Sequence, residues 1–354
     1  MQNRRLTFRP IPFQHQLLGL LLVCVTASTT AQPAVVWPTF GPAAAPDAPG
    51  LTLNAHTNAL PDFVGPVDGS ARLTIFTEGN HFPVLLPLIY DQFVPHSQQQ
   101  GGGCAITADE ILVVTLPQVM IVEALSGGGG RITFGNAVLP LDPAPGRVYP
   151  DWIMGGKRPL TRLADAGIVE PTAVPFARHN GLGILLRRDH ADGIDTLADL
   201  AAADHRLVIA TPYEAGARRQ YLKTLDVLIG HESAANLMAR DIKTFPGRIR
   251  IQHRDVPFAL LTDQADAGLI FGHLARFYAD AYPDQLAFRP VPGAAPFGQE
   301  ILLARPTAAD DRDPAVDCFR DFLLDHAATA YPAGGFADPT AFGFGQTIRL
   351  QTDP

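Results

Sequence analysis

The sequence predicts an α/β fold in which strands and helices alternate, and three observations carry that expectation. The stretch Arg248–Phe277, RIRIQHRDVPFALLTDQADAGLIFGHLARF, reads as strand, helix, strand and helix with almost no loop between them. The stretch DTLADLAAADHRLVIATPYEAGARRQYLKTLDVLIG repeats the theme as helix, strand and helix, and such alternation implies a parallel sheet covered on both faces. At 354 residues, 47% of them hydrophobic and 18% charged, the chain has apolar material for two domains or one large one.

Within Arg248–Phe277 the order of residues sets the elements. Arg248 to Gln252 alternate polar and apolar as a half-buried strand does, and Asp255 followed by Pro257 reads as a helix start, a capping carboxylate before a residue with no donor to lose. Val256, Ala259 and Leu260 then share one helical face. Leu269-Ile270-Phe271 forms the next strand, Gly272 breaks it and His273 opens a second helix. Two helix N-termini thus stand beside strand ends, where unpaired N–H groups point into the crevice of an open sheet.

The remaining elements follow in order. Residues 32–71, rich in Pro, Ala, Gly and Asn, read as a partly ordered leader. Leu73 to Phe76 form a short buried strand, Thr77 to His81 a turn, and the apolar run after Asn80 a helix; Ser97 to Cys104 form a loop and Ile111 to Val114 a second strand. A helix starting near Thr115, with Pro117 in its first turn, ends at the glycines Gly127 to Gly130. That run is read as a linker, because no Lys-Ser/Thr pair follows it as a phosphate loop requires. Leu160 to Ala166 form a helix, FARHNGLGILLRR a strand alternating around Leu182, Ile184 and Leu186, and Leu207 to Ala210 a strand closed by the turn Thr211–Gly216. FGQEILLARP is one more strand and DCFRDFLLDHAATAYPAGGF a terminal amphipathic helix.

Charge and the N-terminus bound the partners and the compartment. Basic MQNRRLTFR, the apolar core Leu17–Val25 and the small residues TASTTA have the order of a secretory signal over residues 1–31, with cleavage after Ala27 or Ala31. The apolar core is too short to span a bilayer, and Val23 precedes Cys24 where a lipid-bearing cysteine wants a small residue. A soluble exported protein is expected. Removing residues 1–31, with three arginines and no acid, takes the formal net charge from −8 to −11, and no basic cluster appears that a nucleic acid would need. Cys104 and Cys318 remain, either as a disulfide or as two thiols.

Four segments, LTIFTEGNHF, VIATPYEAGARRQYLKTL, RDVPFALL…ADAGLIF and FRDFLLDHAATAYPAGGF, together resemble the periplasmic solute-binding proteins of ABC transporters, of the molybdate-binding type, from about Leu73 to Phe336. The resemblance implies a two-lobed α/β, type 2 periplasmic-binding-protein-like fold with a ligand cleft between the lobes. Lobe one is then expected over 72–191 plus 293–354 and lobe two over 192–292, with GLGILLRR and GQEILLAR as paired strands near the hinge. The cleft is expected at Glu78–His81, Thr115–Gln118, Tyr213–Gly216, Asp255–Val256 and Phe271–His273. The implied ligand-binding residues are Glu78, Gly79, Asn80, His81, Thr115, Tyr213, Glu214, Ala215, Val256, Phe271 and His273, with Asn80 and Val256 facing each other.

Two positions depart from that family's pattern: Asn80 replaces a serine and Phe271 a tyrosine. Glu78 and Glu214 add carboxylates where a dianion would be repelled by several kcal/mol at about 4 Å. His81, His253 and His273, with Glu78, Glu214 and Asp255, offer the nitrogen and oxygen donors of a metal site. Their blander readings are a loop histidine capping a helix, Asp255 as an N-cap and Glu214 as a first-turn acid. The expected function is periplasmic capture of a molybdate- or tungstate-like oxyanion or another small anion, by a monomer without a cofactor, for an inner-membrane ABC permease. A metal ion or metal chelate as ligand, and a sensor for a membrane partner, are the alternatives. Catalysis is not expected, since G-x-S-x-G, H-E-x-x-H, a dinucleotide turn and a cysteine beside a base are all missing.

Overall fold

In the computed structural model, which describes residues 62–127, 130–134, 137–308 and 313–350, a seven-stranded and a four-stranded sheet organise two lobes, with a separate hairpin. The signal expected over 1–31, most of the leader expected over 32–71 and two of the glycines between Gly127 and Gly130 lie outside those residues. The chain runs β1 (Phe63–Val64), β2 (Leu73–Thr77), α1 (Phe82–Pro87), a π-helical turn at Leu88–Phe93, α2 (Val94–Gln100), β3 (Ile111–Thr115), α3 (Gln118–Ser126), the hairpin β4 (Arg131–Phe134) and β5 (Ala137–Pro140), β6 (Trp152–Gly155), α4 (Lys157–Asp165) and β7 (Val169–Arg178). There follow β8 (Leu182–Arg187), α5 (Leu197–Ala202), β9 (Leu207–Val208), α6 (Ala215–Ile229), α7 (His231–Ala239), α8 (Gln252–Leu261), β10 (Ala267–Phe271), α9 (Gly272–Ala281) and β11 (Leu286–Pro290). The last elements are β12 (Glu300–Pro306), α10 (Pro314–Ala333) and β13 (Ile348–Arg349).

The large sheet has the order β1-β3-β2-β6-β12-β7-β13 and the small one β11-β8-β10-β9. Neither is the parallel sheet that alternation predicts. Only β2 with β3 and β6, and β9 with β10, run parallel. β12 arrives from the small sheet and inserts antiparallel between β6 and β7, and β8 arrives from the large sheet and runs antiparallel to β10 and β11. A strand that crosses between sheets has no covering helix to fix its direction, so the parallel rule lapses there. For the same reason GLGILLRR and GQEILLAR are not partners of each other: each serves a different sheet.

Burial explains why the strands read as continuous apolar runs. Ile75, Val113, Met154 and Leu303 belong to one core, under α1, the π-helical turn and α10, while Phe76, Leu112, Ile153 and Leu302 belong to a second, under α3, α4 and the hairpin. With both faces covered, period two is hidden; β8 is buried at five of its six positions. Two prolines, Pro171 and Pro175, mask β7 as a strand, and the sheet absorbs Pro175 where the register with β12 shifts at Ile301/Leu302. The stretch expected as strand, Arg248 to Gln252, is a loop up to Ile251, with Arg250 at φ 67°, and α8 starts at Gln252. Its alternation has another cause: Ile249 and Ile251 insert into the core on the α3 face of the large sheet.

Residues 62–71, expected within the leader, are already part of the fold. β1 pairs with β3, and the Asp62 carbonyl accepts from Thr115 N–H at 2.9 Å. Cys104 and Cys318 form a disulfide, tying the loop after α2 to α10.

Candidate functional site

A cavity of about 660 Å³ opens between the two sheets, outside the carboxyl ends of the parallel strands β2, β3, β6 and β10. The large lobe supplies Glu78–Asn80 after β2, the first turns of α3 and residues Arg158, Pro159 and Arg162 of α4. The small lobe supplies Tyr213 to Lys223, Gln252 and His253 at the start of α8, and Phe271, and the return strand adds Pro296, Phe297 and Gln299.

Glu78 accepts from His179 Nε2 through Oε1 and from Gln118 Nε2 through Oε2, both at 2.6 Å. Burial alone would raise its carboxyl, but the charge and hydrogen bond of His179, aided by His81 and Gln118, outweigh burial and hold it below the ordinary range. The carboxylate is therefore charged and already matched. His179 is itself clamped, stacked 4.1 Å from Phe271 and 5.1 Å from His273. Glu214 accepts from the Gln252 backbone N–H at 2.9 Å. Loss of solvent, with the nearby Asp255 charge, pushes its carboxyl well above the usual range.

A polar bridge joins the lobes across the cavity floor. Tyr221 OH donates to Gln252 Oε1 at 2.7 Å, and Gln252 Nε2 donates to Asn80 Oδ1 at 3.1 Å. His253 Nε2 reaches Asp62 Oδ1 at 2.8 Å, and Tyr213 OH reaches Glu123 Oε2 at 3.3 Å. Gly79 makes this closeness possible, because a Cβ there would lie 1.8 Å from His253 Cε1. Gly79→Ala is accordingly expected to favour an open form and weaken ligand binding about tenfold or more. Small-angle scattering would show a larger radius of gyration than wild type, and an unchanged radius with unchanged affinity would refute the closing role.

Of the expected residues, Glu78, Gly79, Asn80, Tyr213, Glu214, Ala215 and Phe271 line the cavity. His81, Thr115, Val256 and His273 do not. His81 is buried behind the wall, bonded to Thr77 Oγ1 and, at 2.6 Å, to Tyr331 OH, and burial depresses its imidazole to about 3. Thr115 turns to Asp62 (Oγ1 to Oδ1, 3.4 Å), leaving its neighbours Pro117 and Gln118 to reach the ligand space. Val256 packs on Gly268, because α8 starts three residues before Asp255 and its first turn, at Gln252, meets Asn80 instead. Asp255 is no N-cap: its carboxylate reaches back to Ile249 N at 2.8 Å, and burial pushes it up to about 6. His273 donates to the Asn80 carbonyl at 2.5 Å and packs on Phe336.

The cleft histidines are thus each spent on other partners rather than gathered around one point. Among the described residues, the three donors close enough to share an ion are His190, His205 and Asp266, none of which lines the cavity. Sequence reasoning missed His179 and the cavity cations Arg158, Arg162, Arg219 and Lys223. The cations left a signal, an i,i+4 pair on each of two helices; His179 left none, since its role depends on the crossing between sheets.

No curated protein matches the chain. Among solved structures, the sulfate-binding protein SubI from Mycobacterium tuberculosis H37Rv is similar at 14% identity and a TM-score of 0.52, over 76% of this chain and 88% of that one. The periplasmic binding protein AfuA from Actinobacillus pleuropneumoniae, with exogenous fructose-6-phosphate bound, is similar at 12% identity and a TM-score of 0.50, over 80% and 89%. At such identity the likeness is one of fold. Residues 144–336 match the family model described as bacterial extracellular solute-binding protein, more than half of the sequence. With two sheets enclosing one cavity and a family match of that extent, the chain belongs to the bacterial extracellular solute-binding proteins.

Proposed function

We propose that this protein captures a small organic anion in the periplasm by closing its two lobes and delivers it to an ABC permease. The observation that carries the reading is the set of helix starts lining the cavity. α3, α4 and α6 each line it with residues of their first turn and none has a side-chain cap, which sets the positive ends of three helix dipoles at the cavity. The two carboxylates that argued against an anion do so less, one being matched by His179 and Gln118 and the other, bonded to the Gln252 N–H, having its charged form disfavoured by burial. Size refines the ligand. At about 660 Å³ the cavity lies within the roughly 300–1,000 Å³ of organic-ligand sites, which favours an organic anion over bare molybdate or tungstate. Among the described residues no helix is long and apolar enough to cross a membrane.

Thermal shift against sulfate, molybdate, sugar phosphates, carboxylates and divalent metals tests the reading. An anion that binds the native state at a hundred times its Kd stabilises it by about 2.7 kcal/mol. A response to metals or cations and to no anion would overturn it. Glu78→Gln supplies a second test: anion affinity is expected to stay within about threefold of wild type or to rise, since the lost charge is not the ligand's partner. A metal or cationic ligand would instead lose binding markedly, as calorimetric titration would reveal.

A further inference from the structure

The four cations of the cavity are arranged as two opposed pairs. Arg158 and Arg162 stand one turn apart on α4, and Arg219 and Lys223 one turn apart on α6, so each pair presents two positive groups on a single helical face. The helices belong to different lobes: α4 packs on β7 and β12 of the large sheet, and α6 packs through Tyr221 on Phe271 of the small one. Many other arginines of the chain, Arg72, Arg187, Arg206, Arg248 and Arg289 among them, are held by carboxylates. None of these four has a carboxylate partner among the described residues.

Four uncompensated positive charges exceed what one monovalent group can balance. The wall also carries Phe271 and Phe297, apolar side chains suited to a ligand's body rather than its charge. Resting on the reading of the cleft as an anion site, we infer that the ligand is an organic molecule with two separated anionic groups, phosphate or carboxylate, one held by each pair. The arginine forks of α4 suit bidentate capture of an oxyanion group, and the mixed pair of α6 supplies one fork and one point charge. Each lobe then holds one end, so the doubly charged ligand is what draws the lobes together.

Matched probes on the full-length mature protein test this by calorimetry. Fructose 1,6-bisphosphate against fructose 6-phosphate, and adipate against hexanoate, compare two anionic ends with one on the same body; the phosphate and carboxylate arms identify the group. At least one doubly charged probe is expected to bind tenfold or more tighter than its singly charged counterpart. Arg158→Ala with Arg162→Ala, or Arg219→Ala with Lys223→Ala, should remove that advantage and cost the doubly charged probe about a hundredfold. The singly charged probe should retain binding in at least one of the two variants. All four side chains are exposed, and an unchanged melting temperature of the ligand-free variants confirms that folding is intact. Equal affinity for both members of both pairs, or insensitivity to both double variants, would overturn the inference while leaving the anion reading intact. Absence of binding by any anion would instead defeat the anion reading itself.

Discussion

Asp62→Asn lowers the unfolding free energy by about 3–5 kcal/mol, the range for removing one partner of a buried ion pair. Asp62 is 1% exposed and faces His253 at 2.8 Å and Arg254 at 3.4 Å, while Arg254 lies over the Phe82 ring. Burial would raise the Asp62 carboxyl, yet Arg254 and His253 overcome it and hold it below the ordinary carboxylate range. The sign follows: this stability is fully present above the unfolded value and is lost as pH falls through a still lower folded value. At neutral pH the asparagine keeps the shape and loses the charge, leaving a buried guanidinium short of its counter-ion. Asp189→Asn is the natural control, because its Arg187 pair is 61% exposed on the acid side and worth about 1 kcal/mol or less. Urea unfolding of both variants decides the matter, and a loss for Asp62→Asn no larger than the control's would show that the cluster is not held by this charge.

Removing the disulfide should cost a similar amount by a different route. Cys104 and Cys318 are separated by 214 residues, and cross-links that close loops of this order contribute about 2–5 kcal/mol, mostly by restricting the unfolded chain. The folded state has other means of holding α10: Trp152 Nε1 donates to the Val316 carbonyl at 2.9 Å, and Arg72 grips Asp313 at 2.7 and 2.9 Å. Cys104→Ser with Cys318→Ser is therefore expected to keep the fold and its ligand affinity while shifting the urea midpoint downward. A variant with the wild-type midpoint, or a wild type whose midpoint ignores reductant, would rule out a contributing bond.

Much of this fold can be read from local pattern, and the failures have physical causes. Leu73, Ile111 and Leu207 each open a strand and Leu269 lies at the middle of one, because short apolar runs bounded by turn residues leave little else to form, and the terminal helix is equally plain. The loops at Glu78–Asn80 and Tyr213–Ala215 were legible because they follow strand ends. Ile249 and Ile251 misled because a loop that plugs two side chains into a core has the same period as a strand. That error displaced the start of α8 by four residues and so put Val256 where Gln252 belongs. The state of Glu78 was invisible for a deeper reason: its partner His179 is 101 residues away, and no local pattern announces which distant group will compensate a charge.

One inner strand of the large sheet, β12, constrains the order of assembly. β12 lies between β6 and β7, yet its residues, Glu300–Pro306, come from near the end of the chain. Until they emerge, β1, β3, β2 and β6 stand as one piece of sheet with an exposed edge and β7 as a lone strand, and Cys104 lacks Cys318. Contacts of such long range are slow to form and leave apolar strands open to wrong pairings meanwhile. A chain built this way cannot complete its larger sheet until nearly all of it is available. Its first-made residues are therefore among the last to be secured.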